Sequence, residues 1–321
     1  MHKRLVNELR LEFLIAPQGP LLIKSGQEAG ADPTLLDMNF VRTTHATLGR
    51  TVYLPGSSLK GALRSYCEKI GRTVGLAVCD PLKGQADSQG TRQGCSFRLE
   101  DRWRQAQSRR PPGVVIYPDL CPICQIFGHT VMASHIWLTD AYPTPETVEA
   151  VNQTGQRDGV AIDRISGAVA VGPFQLEVVT RGAFRTSLVL RNFQLWHVGL
   201  LAVALRDMSA GYIPLGFAKS RGLGQVKLTY EKLTIAYPGQ FEAEGQPDFG
   251  KHLYGVTAFE PEAGYNYWPE EPLPIAASPV SREWGRASLI WTDNAAIETL
   301  LKQTVQPWAD YARANRQGVS Q

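Results

Sequence analysis

The sequence predicts an α+β fold, and three observations carry that prediction. Short β-type runs alternate apolar and polar residues, a stretch near residue 60 is apolar on one helical face, and a stretch near residue 200 is apolar on most sides. At 321 residues, with 43% hydrophobic and 20% charged, the chain can build one large or two modest domains of the ordinary globular kind. No run approaches the roughly 18 to 20 apolar residues of a membrane span. The opening "MHKRLVNELRLEFLIAPQGP" has only a short, charge-interrupted apolar part. The expectation is therefore no membrane association and no secretory signal. Five cysteines without a regular framework point further to a reducing, cytoplasmic setting.

The elements follow in order. "LVNELRLEFLI", residues 5 to 15, partly alternates and reads as a first strand, with Leu21 to Ile23 continuing it after the Pro17 and Gly19 break. The polar stretch from Lys24 to Arg50 is too long for a mere connection and is a candidate functional segment. "TVYLP" is a second strand, after which Ser57 or Ser58 suits the N-cap of a helix. That helix puts Leu59, Ala62, Leu63, Tyr66, Cys67 and Ile70 on one face and Lys60, Arg64 and Glu68 on another, and Gly71 closes it. From Gly75 to Thr130 periodicity is lost, as expected of an insertion held by something other than a continuous core. "HIWLTDAY" restores a strand, and residues 143 to 170 read as an extended hairpin projecting from the body. Strands over 174 to 190, the buried helix "FQLWHVGLLAVALRDM" and the Gly-rich "PLGFAKSRGLGQVKLTY" feeding a strand complete the pattern. Beyond Gly239 the chain turns Pro- and Glu-rich with scattered tryptophans, an appendage rather than a second core.

A formal charge of +3 is too small to mark a nucleic-acid binder by its sum. Its distribution is uneven: Arg98, Arg102, Arg104, Arg109 and Arg110 crowd one segment, and acidic residues gather beyond Glu242. Read plainly, these are two solvated faces. Chemistry is clearer in the cysteines. Cys121 and Cys124 form C-x2-C, which chelates from one tight turn, and Cys79 and Cys95 lie upstream, so four soft ligands can converge on one zinc. His129 is an alternative fourth ligand, buried free thiols are the plain alternative for the set, and Cys67 reads as such a thiol.

"GFAKSRGLG" surrounds Lys219 and Arg221 with Gly216, Gly222 and Gly224, a composition that brings backbone amides and charge to a phosphate, or else a solvated turn. It lacks the lysine-serine pair of a P-loop and the spacing of a dinucleotide fingerprint. The segment from Lys24 to Arg50 holds Asp32, Asp37, Arg42 and His45. Beside RNA, such an aspartate can hold a divalent cation or align a ribose 2′-hydroxyl; elsewhere it caps a turn. Asp140 and His197 read as structural.

Five segments in order, "YLPGSSLKGALR", "CPICQIFG", "HIWLTDAY", "GVAIDRISGAVA" and "GFAKSRGLGQV", resemble the RAMP proteins that form the backbone of type III CRISPR-Cas effector complexes. The resemblance implies a ferredoxin-like, RNA-recognition-type core over residues 1–238, with a zinc-bearing insertion at about 75–134 and a β-hairpin thumb at about 143–172. The acidic, Trp-containing residues 239–321 have no counterpart in it. It implies copies stacked along a guide RNA, with target RNA, neighbouring RAMP subunits and other effector subunits as partners, each thumb displacing one base of the guide-target duplex. Ser57, Ser58, Lys60 and Arg64 resemble the surface that holds guide phosphates, joined by Lys219, Arg221 and Gly222 of the Gly-rich loop. Arg164 resembles a thumb-base residue that steers RNA. Asp32 in "GADPT" resembles the aspartate with which some backbone subunits cut target RNA, using Mg²⁺ or another divalent cation. The inserted "NFVRTTHATLGR" makes Asp37 its rival. A stand-alone guide-processing ribonuclease using His45, and a zinc-stabilised scaffold without RNA, are the competing readings.

Overall fold

Alternation in the first strand sets the architecture. In β1 (Glu8–Pro17) Leu9, Leu11, Phe13 and Ile15 are buried while Glu8, Arg10 and Glu12 lie on the other face, as a two-residue period requires. The computed structural model describes residues 4–25, 38–84, 93–105, 112–240, 247–260 and 265–316. After β1 come a small hairpin, β2 (Arg42–His45) and β3 (Gly49–Val52), and the 18-residue helix α1 (Gly56–Thr73). The insertion contributes α2 (Cys95–Gln105), α3 (Gly113–Ile116) and α4 (Pro122–Phe127). β4 (Ile136–Leu138), β5 (Tyr142–Pro143) and α5 (Val148–Asn152) lead to the hairpin β6 (Gly155–Ile162) and β7 (Val169–Val178). β8 (Phe184–Arg191), α6 (Leu195–Ser209) and β9 (Val226–Pro238) follow. The remaining elements are β10 (His252–Leu253), β11 (Leu273–Pro274), β12 (Ser281–Glu283), β13 (Arg286–Trp291), α7 (Asn294–Gln303) and α8 (Val305–Ala314).

These elements make a mixed α+β molecule around a seven-stranded antiparallel sheet in the order β12-β13-β9-β1-β8-β4, with β5 also paired to β8. β1 reaches β4 through α1, and β8 reaches β9 through α6, so two helix-bearing crossovers interleave four of the strands, β9-β1-β8-β4. α1 packs on β4 and α6, and α6 packs on β9, α7 and α8. One contiguous core results. α6 is buried on nearly all sides because α8 covers the flank the sheet leaves open: Tyr311 stacks on Trp196 with ring centroids 3.9 Å apart. The chain after Gly239 shares this core, since β13 pairs with β9 from Arg286↔Pro238 to Trp291↔Leu233. Among the described residues no helix is long and apolar enough to cross a membrane.

Several local features differ from the sequence reading: α1 runs past Gly71 to Thr73, and the hairpin spans Gly155–Ile162 and Val169–Val178 rather than residues 143 to 170. α1 begins after Pro55, not at Ser57 or Ser58, which sit exposed inside its first turn. The cause is distant: the Asp140 carboxylate accepts the Gly56 N–H at 2.7 Å, and a Cβ at residue 56 would lie 2.4 Å from the Leu138 carbonyl oxygen, an approach only glycine allows. The insertion, in turn, is not held by its cysteines alone. Leu99, Ile116, Tyr117, Ile123, Ile126 and Phe127 are buried in the common core. α3 and α4, at four and six residues, are too short to display a helical period.

Candidate metal centre and nucleic-acid interface

Cys121 is the N-cap of α4 and Cys124 lies in its first turn, so the short helix sets both sulfurs side by side. Cys79 arrives from the segment after α1, and Cys95 opens α2. All four are buried, and their Sγ atoms lie within 4.8 Å of one another. Cys79 to Cys124 is 3.6 Å and Cys79 to Cys121 is 3.5 Å, close to the about 3.8 Å edge of a tetrahedron built on 2.3 Å zinc–sulfur bonds. His129 stands outside this group. Cys67 does too, and burial pushes its thiol up and keeps it protonated.

The surroundings suit thiolates. The Cys121 N–H donates to Cys95 Sγ at 3.3 Å and the Cys124 N–H to Cys121 Sγ at 3.5 Å. Arg64 Nη2 lies 3.4 Å from Cys124 Sγ, and Arg98 Nη2 lies 3.9 Å from Cys95 Sγ. Cys79 and Cys95 are held below the ordinary thiol value because Cys121, then Cys124, donates S–H to them; the same crowding pushes Cys124 up. Four thiols in contact cannot all ionise without a counter-charge. A divalent cation supplies it, and two guanidiniums offset the two negative charges that four thiolates around a dication leave over. The four cysteines therefore fit a metal such as zinc.

α1 is fastened to this centre along one stripe. Lys60 Nζ donates to Ser134 Oγ at 2.8 Å and to the Ile136 carbonyl at 3.3 Å. Arg64 donates to the Gly128 carbonyl at 2.8 Å and pairs with Glu68 at 3.0 Å, while Arg72 donates to the Cys79 carbonyl at 2.9 Å. Residues 60, 64, 68 and 72 fall one helical turn apart, so all four face the insertion. Burial, then the charge of Arg64, lowers the Lys60 ammonium below its usual range.

The other flank of α1 opens onto the Gly-rich loop. Ser58, Ser65 and Lys69 of α1 face Tyr212, Pro214 and Lys219 across a groove of about 340 Å³. The loop glycines serve different ends. Gly216 and Gly224 have φ of +76° and +90°, and a Cβ at either would lie 2.1 Å from a carbonyl oxygen, of Leu22 and Leu215 respectively. They permit close packing of the loop. Gly222, at φ +81°, has open space around it and is exposed beside Lys219 and Arg221.

The hairpin is rooted beside the same loop. The Arg221 guanidinium lies over the rings of Phe217 and Phe174, at 5.4 and 5.8 Å, within cation–π range. Glu177 of β7 is buried against Arg42, accepts the Phe40 N–H at 2.8 Å and takes the Thr154 hydroxyl at 2.7 Å. Desolvation raises the Glu177 carboxyl, but these donors outweigh it and hold the group below the usual range. Arg164 lies at the turn joining β6 to β7, the end farthest from Leu176 and Val179, which bridge to Met38 and Leu21, rather than at the hairpin base. Asp163 shapes that turn by accepting the Ile165 and Ser166 N–H groups, and Arg164 and Ile165 stand exposed.

The structure thus brings Cys79, Cys95, Cys121 and Cys124 together, sets Ser58 and Lys219 on one groove with Arg221 and Gly222 on the adjoining loop, and turns Lys60 and Arg64 into the insertion. Asp32 and Asp37 lie outside the described residues. His45 caps its own β2–β3 turn, accepting the Thr47 and Leu48 N–H groups at 3.3 Å. Lys69 and Tyr212 escape sequence reasoning, although Ser58, Ser65 and Lys69 recur at helical spacing on one flank. A family model described as the RAMP superfamily matches residues 18–227. A search of curated proteins finds no match to the chain.

Proposed function

The chain belongs to the RAMP superfamily, and from that membership we propose that it is a guide-RNA-binding backbone subunit of a type III CRISPR effector, working in the cytoplasm beside neighbouring RAMP subunits. The observation that carries this reading is the groove between α1 and the Gly-rich loop, where hydroxyls and two exposed lysines, Lys69 and Lys219, meet on one open surface. Phosphates are recognised by such a combination of amides, hydroxyls and cations, without regard to sequence. Ser57, Ser58, Lys219, Arg221 and Gly222 are the residues we assign to the guide backbone. Lys60 and Arg64 act on the same surface by holding α1 in place against the insertion.

The strand order β9-β1-β8-β4 with helices α1 and α6 supports a ferredoxin-like, RNA-recognition-type core within residues 1–238. The exposed hairpin β6–β7 supports the thumb, and Arg164 at its turn would meet target RNA or the next subunit. Zinc in the four-cysteine site is structural in this reading; β13, α7 and α8 share the core of the fold, and the segment 239–321 that carries them is the one we assign to contacts with other effector subunits. Cutting of target RNA is assigned to Asp32, ahead of Asp37, as the carboxylate that holds Mg²⁺ or another divalent cation and aligns the 2′-hydroxyl for in-line attack.

Purification of the chain tests the binding role directly: RNA of discrete length is expected to co-purify with it, and a nucleic-acid-free protein that binds no added RNA contradicts it. For cutting, Asp32→Ala in the assembled effector with target RNA and magnesium should bind as before and lose one cut site. Unchanged cleavage moves the role to Asp37 or removes it from this subunit.

A further inference from the structure

The groove beside α1 carries more than phosphate contacts. We infer that Tyr212 is a stacking platform for one unpaired nucleobase of the bound RNA, with Lys69 and Lys219 on the phosphates flanking it. The inference rests on the RNA-binding reading above.

Four observations lead to it. Tyr212 is 71% exposed, a large aromatic ring turned to solvent at the wall of a concave site. Its backbone is nevertheless fixed: the Tyr212 N–H donates to the Asp207 carbonyl at 2.9 Å and the Gly211 N–H to the Met208 carbonyl at 3.2 Å, closing the end of α6 through a glycine at φ +85°. With the backbone fixed, only the two side-chain torsions of Tyr212 remain to be ordered when a base lands on its ring. Across the groove the α1 wall is low, because Gly61 has open space where a side chain would begin and its neighbours are small. The groove, at about 340 Å³, lies at the lower end of the range for small-molecule sites, roughly 300 to 1,000 Å³.

The chemistry then selects the ligand. An aromatic ring stacks on any base because every base has a π-face, and the two exposed lysines reward a polyanion that passes on both sides of that base. Pro214 adds an apolar edge, while the Tyr66 hydroxyl is committed to Asp207 at 2.9 Å and so keeps its own ring in place. A base stacked on Tyr212 must present an uncovered face, which the interior of a duplex does not offer. The site therefore favours single-stranded over double-stranded RNA.

The test uses the full chain freed of RNA, a fluorescent single-stranded RNA carrying 2-aminopurine, and a duplex of the same length. Wild type should bind the single strand more tightly than the duplex and quench the 2-aminopurine. Tyr212→Ala should bind the single strand on the order of tenfold more weakly and lose the quench, while Tyr212→Phe keeps both. Substitution of so exposed a ring leaves the fold intact, checked by an unchanged melting temperature. If Tyr212→Ala binds and quenches as wild type, the stacking site is wrong while RNA binding stands. If Tyr212→Phe fails along with Tyr212→Ala, the hydroxyl rather than the ring is responsible, and the inference is overturned. If wild type binds neither RNA, the RNA-binding reading falls and takes this one with it.

Discussion

The two flanks of α1 both bring lysine or arginine to a neighbouring segment, and the cations do opposite things. On one flank Lys60, Arg64 and Arg72 donate to Ser134, Gly128, Cys124 and Cys79 of the insertion. On the other, Lys69 and Lys219 stand exposed around an open groove. The difference teaches that a cation's work is set by what packs against its flank. A half-buried guanidinium beside a cysteine sulfur stabilises a metal centre, whereas an exposed ammonium in a groove is available to a polyanion. The same helix thus joins a closed centre to an open surface, and each side can be broken separately.

The largest effect is expected on the closed side. Cys124→Ser, or Cys121→Ser, removes one of four converging sulfurs, and metal content measured by elemental analysis should fall from about one ion per chain towards none. The melting temperature should fall with it. A folded wild-type protein with no metal would contradict the assignment of the site.

A second buried contact sharpens the contrast at the start of α6, where Glu270 accepts the Leu195 N–H at 2.8 Å and the Thr257 hydroxyl at 3.3 Å. Burial outweighs these donors and pushes its carboxyl from an ordinary value near 4.5 up to about 8. The folded chain therefore holds this proton more tightly than the unfolded one. The resulting stability is complete below about pH 4.5 and is lost as the pH rises to about 8. Glu270→Gln, always neutral, should flatten the pH dependence of the melting temperature in that window, where the wild type loses on the order of 5 kcal/mol. An unchanged pH profile would show that Glu270 is ionised throughout.

Arg64→Met keeps the bulk of the side chain and removes its charge from Cys124. Metal should then be lost to a competing chelator about 10- to 100-fold more readily, the usual cost of an outer-sphere partner. Arg64→Lys should recover part of that loss. Equal metal retention in all three proteins would leave Arg64 without a role at the centre.

Much of this was legible in the sequence, for reasons visible in particular residues. Leu9, Leu11, Phe13 and Ile15 alternate because one face of β1 is buried, and Cys121 and Cys124 point to a shared centre because two sulfurs at that spacing can chelate from one turn. What escaped depends on partners remote in the chain. Asp140 caps α1 from 84 residues away, so no local pattern places the helix start at Gly56. Lys60 and Arg64 reveal by their period which flank they occupy, but not that the insertion folds over it. β13 finds β9 through register alone, which leaves the Trp-containing tail without a local signal of its place in the sheet. Gly216 and Gly224 resemble a phosphate cradle in sequence because close packing against a carbonyl and close approach to a phosphate both require a missing Cβ.

The contrast between the two flanks is tested most directly by the salt dependence of RNA binding. Affinity for a single-stranded RNA is measured against salt concentration for wild type, for Lys69→Ala combined with Lys219→Ala, and for Lys60→Ala. Each cation withdrawn from a phosphate should flatten the logarithmic slope by about 0.7, so the slope of the double variant should be shallower by about 1.4 while Lys60→Ala keeps the wild-type slope. A flattened slope in Lys60→Ala with none in the double variant would place the RNA on the metal-bearing flank and contradict the account.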